Sequence, residues 1–420
     1  MLFWLIETDI QLKKYLNKGY KESFVEVIPY NNFSHPLKNK ISALYVRPIN
    51  SKKGYMFPLS HSETISLSYK QINEILNSFD KIYVRDKKEF LHYFIKKHIF
   101  DLTLFEEYNI TLTAAHSYLY SQYPNKYDIN RIIPISKHYE LCENIFNDIK
   151  NRISKDINKF YNNRIPLVLN AIEITGIRIN PKEFNKHFPP IEGDMVYTQY
   201  NYKTTTTRPS NHFNKINFSA LNKENGCRKS FIPNNDKYVE FDITAYHPTI
   251  LSHLIGYAFS NPDIHGEFAK MYGVDYNKSK QITFRMIYGG IFEKYKNLEF
   301  FKKVQIYTDN LWENFQTNGY VECELTGFRF EKDKLDNMNP SKLLNYIIQQ
   351  KETVNNINIM WDMFKILKNK KTKLILYCYD SFLLDFDDTE EDILEQVRNL
   401  FTLSNLQVKE KSGYNYNTLS

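Results

Sequence analysis

Two β-rich runs, KYVEFDITAY (237–246) and TKLILYCYDSFLLDF (372–386), constrain this chain more than any other feature, because each carries an aspartate to a strand end. Asp242 closes the run YVEFD, and Asp380 sits in the turn of a strand-turn-strand pattern. A carboxylate at a buried strand end is costly unless it is paired or holds a metal. Two such acids brought together repel, and a divalent ion resolves the repulsion. A fold uniting Asp242 and Asp380 would suit two Mg²⁺ ions (or Mn²⁺) and in-line phosphoryl transfer. One ion would activate an attacking hydroxyl and the other would neutralise the leaving group. Taken alone, either aspartate is more simply read as a helix or turn cap.

A second stretch, KSKQITFRMIYGGIFEKY (278–295), spaces Lys280, Phe284 and Tyr288 four apart and follows them with Gly289 and Gly290. On a 3.6-residue helix these three side chains form one stripe. The lysine could hold a triphosphate and the rings could pack beside a base or sugar, with the glycines permitting a bend or close approach. By spacing alone, an amphipathic helix with an exposed lysine explains the pattern as well.

The 420 residues suffice for two or three domains. The net charge of +7 is modest, but 32 Tyr, 30 Phe and 3 Trp accompany it. Cations interleaved with rings suit nucleic acid, since lysines meet phosphates and rings stack on bases. A Lys/Asn/Ile-rich compositional bias would give the same totals. Cys142, Cys227, Cys323 and Cys378 lie far apart with no CxxC, which argues against structural zinc and fits a reducing compartment. The opening MLFWLIETDIQLKKYL is too acidic for a signal peptide. No stretch is apolar and long enough for a bilayer. The expectation is an intracellular soluble protein without a membrane partner, in a bacterial cytoplasm or an organelle matrix.

Along the chain, SFVEVIPY, ISALYVRPI and KGYMFPLS read as strands and KEFLHYFIKKHIF as a helix. A helical zone runs from about His138 to Ile174, and Gly176 and Pro181 punctuate its end. Helices dominate from about 265 to 318; GYVECELTGFRF reads as a hairpin and SKLLNYIIQQKETVNNINIMWDMFKILK as one long helix.

Short elements then follow one another in a fixed order: TTTTRPS (204–210), CRKSFIPNNDKYVEFDITAYHPTILSHL (227–254), PDIHGEFAKMYGV (262–274), KQITFRMIYGG (280–290), NGYVECELTGFRF (318–330), LNYIIQQ (344–350) and LYCYDSFLLDF (376–386). From Thr204 onward the chain thereby resembles, collinearly, the family A DNA polymerases of the bacterial polymerase I type. Each element alone is weak, and the shared order is what makes the resemblance specific. It implies that Asp242, the backbone carbonyl of Ile243, and Asp380 hold the catalytic metals. It also implies that His265 and Lys280 touch the incoming deoxynucleoside triphosphate, with Phe284 and Tyr288 shaping the base-pair pocket. Arg208 and Gln349 would track the primer–template minor groove, with Asn345 and Arg228 as further DNA contacts. Upstream, NRIPLVLNAIEITGIRIN (163–180) resembles the segment joining that family's proofreading domain to its thumb, and the N-terminal region looks like a decayed 3′–5′ exonuclease.

The departures from the family pattern are informative. Only about two dozen residues separate Asn180 from the TTTTRPS element, under ~40 Å of rise if wholly helical. A full thumb hairpin is therefore not expected, and neither is tight retention of DNA without a clamp or other processivity partner. His247 stands where the family has a sugar-discriminating glutamate, which implies deoxynucleotide preference with weaker discrimination. Ser381 replaces the glutamate that usually follows the second aspartate, and YDSF is similar to the H-D-S-F of single-subunit RNA polymerases. Tyr276 takes the place of an arginine; Lys278 is misdirected by about half a turn, and Arg285 is the remaining candidate to compensate. Phe284, where a Tyr would favour them, implies poor use of dideoxynucleotides. In the exonuclease-like region, Glu26, Asp86 and Glu143 sit at plausible ligand positions, but Ile28 stands where a second acid belongs. Proofreading is expected to be absent or weak.

The resulting expectation is an α+β, right-hand polymerase: a palm with an antiparallel sheet, helical fingers and a reduced thumb, preceded by an RNase H-like α/β exonuclease-type domain. The expected boundaries are 1–145 for that domain, 146–195 for a helical linker and reduced thumb, 196–258 and 330–420 for the palm, and 259–329 for the fingers. The expected partners are a DNA primer–template and dNTPs. A single-subunit RNA polymerase and a catalytically silent replisome component are the competing readings.

Overall fold

Largely apolar runs, buried along nearly their whole length, build a sheet covered on both faces in the N-terminal third. The computed structural model describes residues 4–31, 35–96, 98–102, 119, 122–123, 129–153, 159–213 and 216–419. It comprises two units, Met1–Ile174 and Thr175–Ser420.

In the first unit, strands β1 (Trp4–Leu5), β2 (Glu22–Pro29), β3 (Ile41–Pro48), β4 (Tyr55–Pro58), β5 (Lys81–Val84) and β6 (Ile99–Asp101) form one sheet in the order β1-β4-β3-β2-β5-β6. β2, β3 and β4 are antiparallel neighbours, whereas β5 and β6 run parallel to β2. Three antiparallel strands followed by parallel ones is the RNase H-like arrangement. Period-two patterning decides which face each residue covers. Val25 and Val27 join the core beside helices α1 (Asp9–Leu16), α2 (Tyr69–Asn77) and α3 (Lys87–Tyr93), while Phe24 and Ile28 meet Tyr139, Cys142 and Phe146 of α4 (Ile135–Ile149). The run KEFLHYFIKKHIF does not stay helical as its composition suggests. α3 ends at Tyr93, His98 takes a left-handed backbone (φ 56°), and the residues after it pair with β5 as β6. Ladder bonds on a sheet edge outweigh the local helical pattern.

The three acids expected to be remnants of an exonuclease site are each engaged by protein groups. Glu26, 3% exposed, accepts from Arg85 Nε at 2.7 Å. Glu143 accepts from the Tyr45 hydroxyl at 2.8 Å, Arg47 Nη1 at 3.0 Å and the Gly54 amide at 2.7 Å. Asp86 caps α3 by accepting from the Glu89 amide at 2.9 Å.

The second unit is organised on a four-stranded antiparallel sheet. Its strands β7 (Lys237–Ile243), β10 (Lys373–Cys378), β11 (Ser381–Phe386) and β12 (Val408–Gly413) stand in the order β10-β11-β7-β12. The hairpin of β8 (Tyr320–Cys323) and β9 (Phe328–Glu331) is separate. β12, which no motif had marked, supplies the edge beside β7. The longer helices are α5 (Tyr246–Leu254), α6 (Ile264–Tyr272), α7 (Tyr276–Gly289), α8 (Glu299–Asn318), α9 (Pro340–Ile366) and α10 (Asp392–Leu403). The 27-residue α9 starts with Asn339 capping the Lys342 amide and Pro340 in the first turn. Phe241 of β7 stacks on Phe401 of α10, with ring centres 5.6 Å apart. Between Asn180 and Thr204 the one helix, Pro181–Phe184, has four residues.

Candidate active site

Sheet register delivers the two aspartates. Asp242, at the end of β7, pairs with Ser381 of β11, and the Ile243 amide donates to the Asp380 carbonyl at 2.8 Å. The loop joining β10 to β11 is only Tyr379 and Asp380, and Tyr379 adopts a left-handed backbone with φ 59°. A non-glycine residue there costs on the order of 1 kcal/mol. Asn356 of α9 holds it by donating to the Tyr379 carbonyl at 2.6 Å. Ala245, just beyond Asp242, is also left-handed, at φ 49°. Strained backbone thus adjoins each aspartate.

Both acids line one cleft of 310 Å³ together with Ile243, His247, His265, Tyr276, Lys280, Phe284, Tyr288, Arg208, Glu352 and Lys409. Burial, reinforced by the charge of Asp242, pushes the Asp380 carboxyl up to about 6. Repulsion between two neighbouring carboxylates, one of them largely buried, is what a divalent cation relieves, so Asp242 and Asp380 fit a metal. One internal cation already attends Asp242: the Lys411 ammonium of β12 contacts Asp242 Oδ2 and lies 3.2 Å from Glu240 Oε2. Ser381 donates to the other Glu240 oxygen at 2.8 Å.

α7 carries the aromatic stripe. Asp275 caps its start through the Lys278 amide, and Gly290 (φ 102°) ends it in a backbone region that a side chain would disfavour. The rings of Phe284 and Tyr288 stack within 9° of parallel at 5.9 Å. The Lys280 ammonium stands 4.8 Å from the centre of the Tyr276 ring. His265, at the start of α6, is 4% exposed and its Nδ1 has no partner among the described residues. Burial, with the positive charge of Lys280 added, pulls its pKa down to about 4. The imidazole is therefore neutral at physiological pH.

A buried network closes the far side. Glu352 of α9, fully enclosed, accepts from Arg208 Nη2 at 2.9 Å, and its second oxygen lies 2.9 Å from His247 Nε2. The Tyr288 hydroxyl bonds His247 Nδ1. Arg208 also stacks over Tyr379 at 3.8 Å.

Not every expected residue reaches the cleft. Gln349 is tied to Thr206 at 3.0 Å and to Asn345 at 3.1 Å, and neither Gln349 nor Asn345 is among the cleft's lining residues. Arg228 donates to the Leu221 carbonyl at 2.9 Å and lies over Tyr416, and Arg285 lies over Phe292. Neither arginine lines the cleft. Glu240, Glu352, Lys409 and Lys411 were missed by motif reading, although the strand alternation of YVEFD does place Glu240 on the face of Asp242. In the first unit, His35, His92 and Glu173 bring ligand atoms within 4.8 Å of one another, but Lys88 donates to both Glu173 oxygens at 2.7 and 3.0 Å and so neutralises the carboxylate.

No protein-family model matches the sequence, and no curated protein matches it. Among solved structures, the chain is similar to the POL domain of Pol1 from M. smegmatis in complex with DNA primer-template and dNTP, with a TM-score of 0.72 at 12% identity, covering 99% of each chain. The chain therefore has the polymerase fold of the Pol1 POL domain, the fold that its collinear motifs imply.

Proposed function

We propose that this protein is a DNA-directed DNA polymerase that extends a primer 3′-hydroxyl with dNTPs on a template. The observation that carries this reading is the meeting of Asp242 and Asp380 in one cleft with His265 and Lys280. The structurally similar Pol1 domain, in complex with primer-template and dNTP, supports it. Asp242, Asp380 and the Ile243 carbonyl would hold Mg²⁺, or Mn²⁺, which supplies activation of the 3′-hydroxyl and charge neutralisation at the phosphates. In the reaction the primer oxygen bonds to the α-phosphorus as the bond to the β-phosphate oxygen breaks, and pyrophosphate leaves.

The chain's own groups position the reactants. Lys280 matches triphosphate charge, and neutral His265 offers a hydrogen bond from an imidazole whose Nδ1 has no hydrogen-bond partner among the described residues. Phe284 and Tyr288 present a flat platform to the nascent base pair. His247 stands as the sugar gate. Arg208 and Gln349, with Asn345 beside it, face the minor groove of the primer terminus. Arg228 and Arg285, engaged elsewhere, act at most at the DNA periphery.

Proofreading is absent or weak in this reading, because Arg85 and Arg47 already supply the positive charge that Glu26 and Glu143 would otherwise draw from metals. The four-residue helix between Asn180 and Thr204 favours weak retention of DNA and the use of a clamp-like partner. No described helix is long and apolar enough to cross a membrane. The test is extension of a labelled primer–template, with deoxy- and ribonucleotides compared, alongside Asp380→Ala. Extension by the wild type and none by the variant is expected. Extension by ribonucleotides without a primer would instead favour the RNA polymerase that YDSF resembles.

A further inference from the structure

Glu352 occupies a singular position: a carboxylate with no exposed surface, in the middle of α9, with one oxygen on Arg208 and the other on His247. A buried carboxylate is retained at a cost unless its partners are fixed. Here the partners are two residues that face different reactants in the polymerase reading, on which this inference rests.

The direction of the His247–Glu352 hydrogen bond follows from chemistry. Glu352 can only accept, so His247 Nε2 carries the proton and donates to it at 2.9 Å. The Tyr288 hydroxyl holds the other ring nitrogen, Nδ1. The imidazole is gripped at both nitrogens, which leaves its ring plane no freedom to swing. A histidine held at one nitrogen could rotate away from an incoming sugar. One held at both presents a fixed edge, and fixed edges discriminate better than mobile ones.

We propose that Glu352 is a specificity-determining positioning residue. It restores, from a different helix, the carboxylate that position 247 lacks, locks His247 as a rigid gate against the ribose 2′-hydroxyl, and shares that lock with Arg208 at the primer terminus. Glu352 itself touches neither sugar nor phosphate. It acts through His247.

Sugar discrimination is the readout that separates this role from a merely structural one. A structural defect lowers incorporation of dNTP and rNTP alike and leaves their kcat/KM ratio unchanged. Single-nucleotide kcat/KM for matched dNTP and rNTP is measured on one primer–template for the wild type, Glu352→Gln, His247→Ala and the double variant. Glu352→Gln should lower the dNTP/rNTP ratio by about tenfold, the loss of one charge-assisted hydrogen bond. In the His247→Ala background it should change the ratio no further, because the ring it holds is gone. Glu352→Asp keeps the charge facing Arg208 but shortens the reach, and should lower the ratio in the same direction should the Gln variant fail to fold. An unchanged ratio in a folded variant, or losses that add in the double variant, would overturn the proposal. A wild type that extends no primer would instead count against the polymerase reading itself.

Discussion

The Ile243 amide donates to the Asp380 carbonyl at 2.8 Å, tying the end of the strand that carries Asp242 to the turn that carries Asp380. The bond lies in the backbone, so it persists whether or not the carboxylates are charged. The site is thus preformed, and the electrostatic strain between its acids is set by the sheet.

Asp380→Asn should abolish nucleotide incorporation, by about a thousandfold or more, yet stabilise the metal-free protein. The Asp380 carboxyl is raised to about 6 by burial and by Asp242. A raised carboxyl binds its proton more tightly in the folded state. Its unfavourable contribution is therefore absent below about pH 4, grows as pH rises, and is complete above about 6. The variant should gain about 3 kcal/mol at pH 7.5 and nothing near pH 4. Thermal denaturation at the two pH values, with and without Mg²⁺, checks this. A variant less stable than the wild type at pH 7.5 would contradict it.

His265 predicts the opposite slope. Its pKa is depressed to about 4 by burial and by Lys280. Below its ordinary pKa of about 6.5 the unfolded chain takes up a proton that the folded chain refuses. Stability should then fall on acidification from about 6.5 to about 4, with this ring contributing on the order of 1 kcal/mol per pH unit. Denaturant midpoints for the wild type and His265→Gln should diverge across that window, the variant's profile being flatter. The same variant should raise the KM for dNTP more than it lowers kcat.

Glu26→Gln should cost about 2 kcal/mol without altering any nuclease activity, because Arg85 loses its buried partner. Wild-type protein with Mg²⁺ should leave a 3′-mismatched primer uncut. Removal of the mismatched nucleotide by wild type, lost in the variant, would restore Glu26 as a metal ligand.

Primer extension against an excess of unlabelled trap DNA should yield only short additions per binding event. Long products under trap would refute weak DNA retention and remove the need for a clamp-like partner.

His247→Gly should increase ribonucleotide incorporation, read as full-length product with one rNTP substituted. Unaltered incorporation would mean that another group reads the sugar.

The sequence by itself determined the strands that bear Asp242 and Asp380, the face shared by Lys280, Phe284 and Tyr288, and the hairpin at 320–331, because period and turn chemistry are local. The order of its motifs was enough to imply the fold. It could not say that α3 stops at Tyr93, since strand pairing with β5 overrode the helical pattern. Nor could it say that Arg228 and Arg285 are spent on Tyr416 and Phe292, or that Lys411 attends Asp242 and Glu352 grips His247. A charged side chain's role depends on which groups surround it after folding. Those neighbours come from strands and helices far away in the chain, so only the tertiary structure decides which charges serve the cleft and which merely pair within the protein.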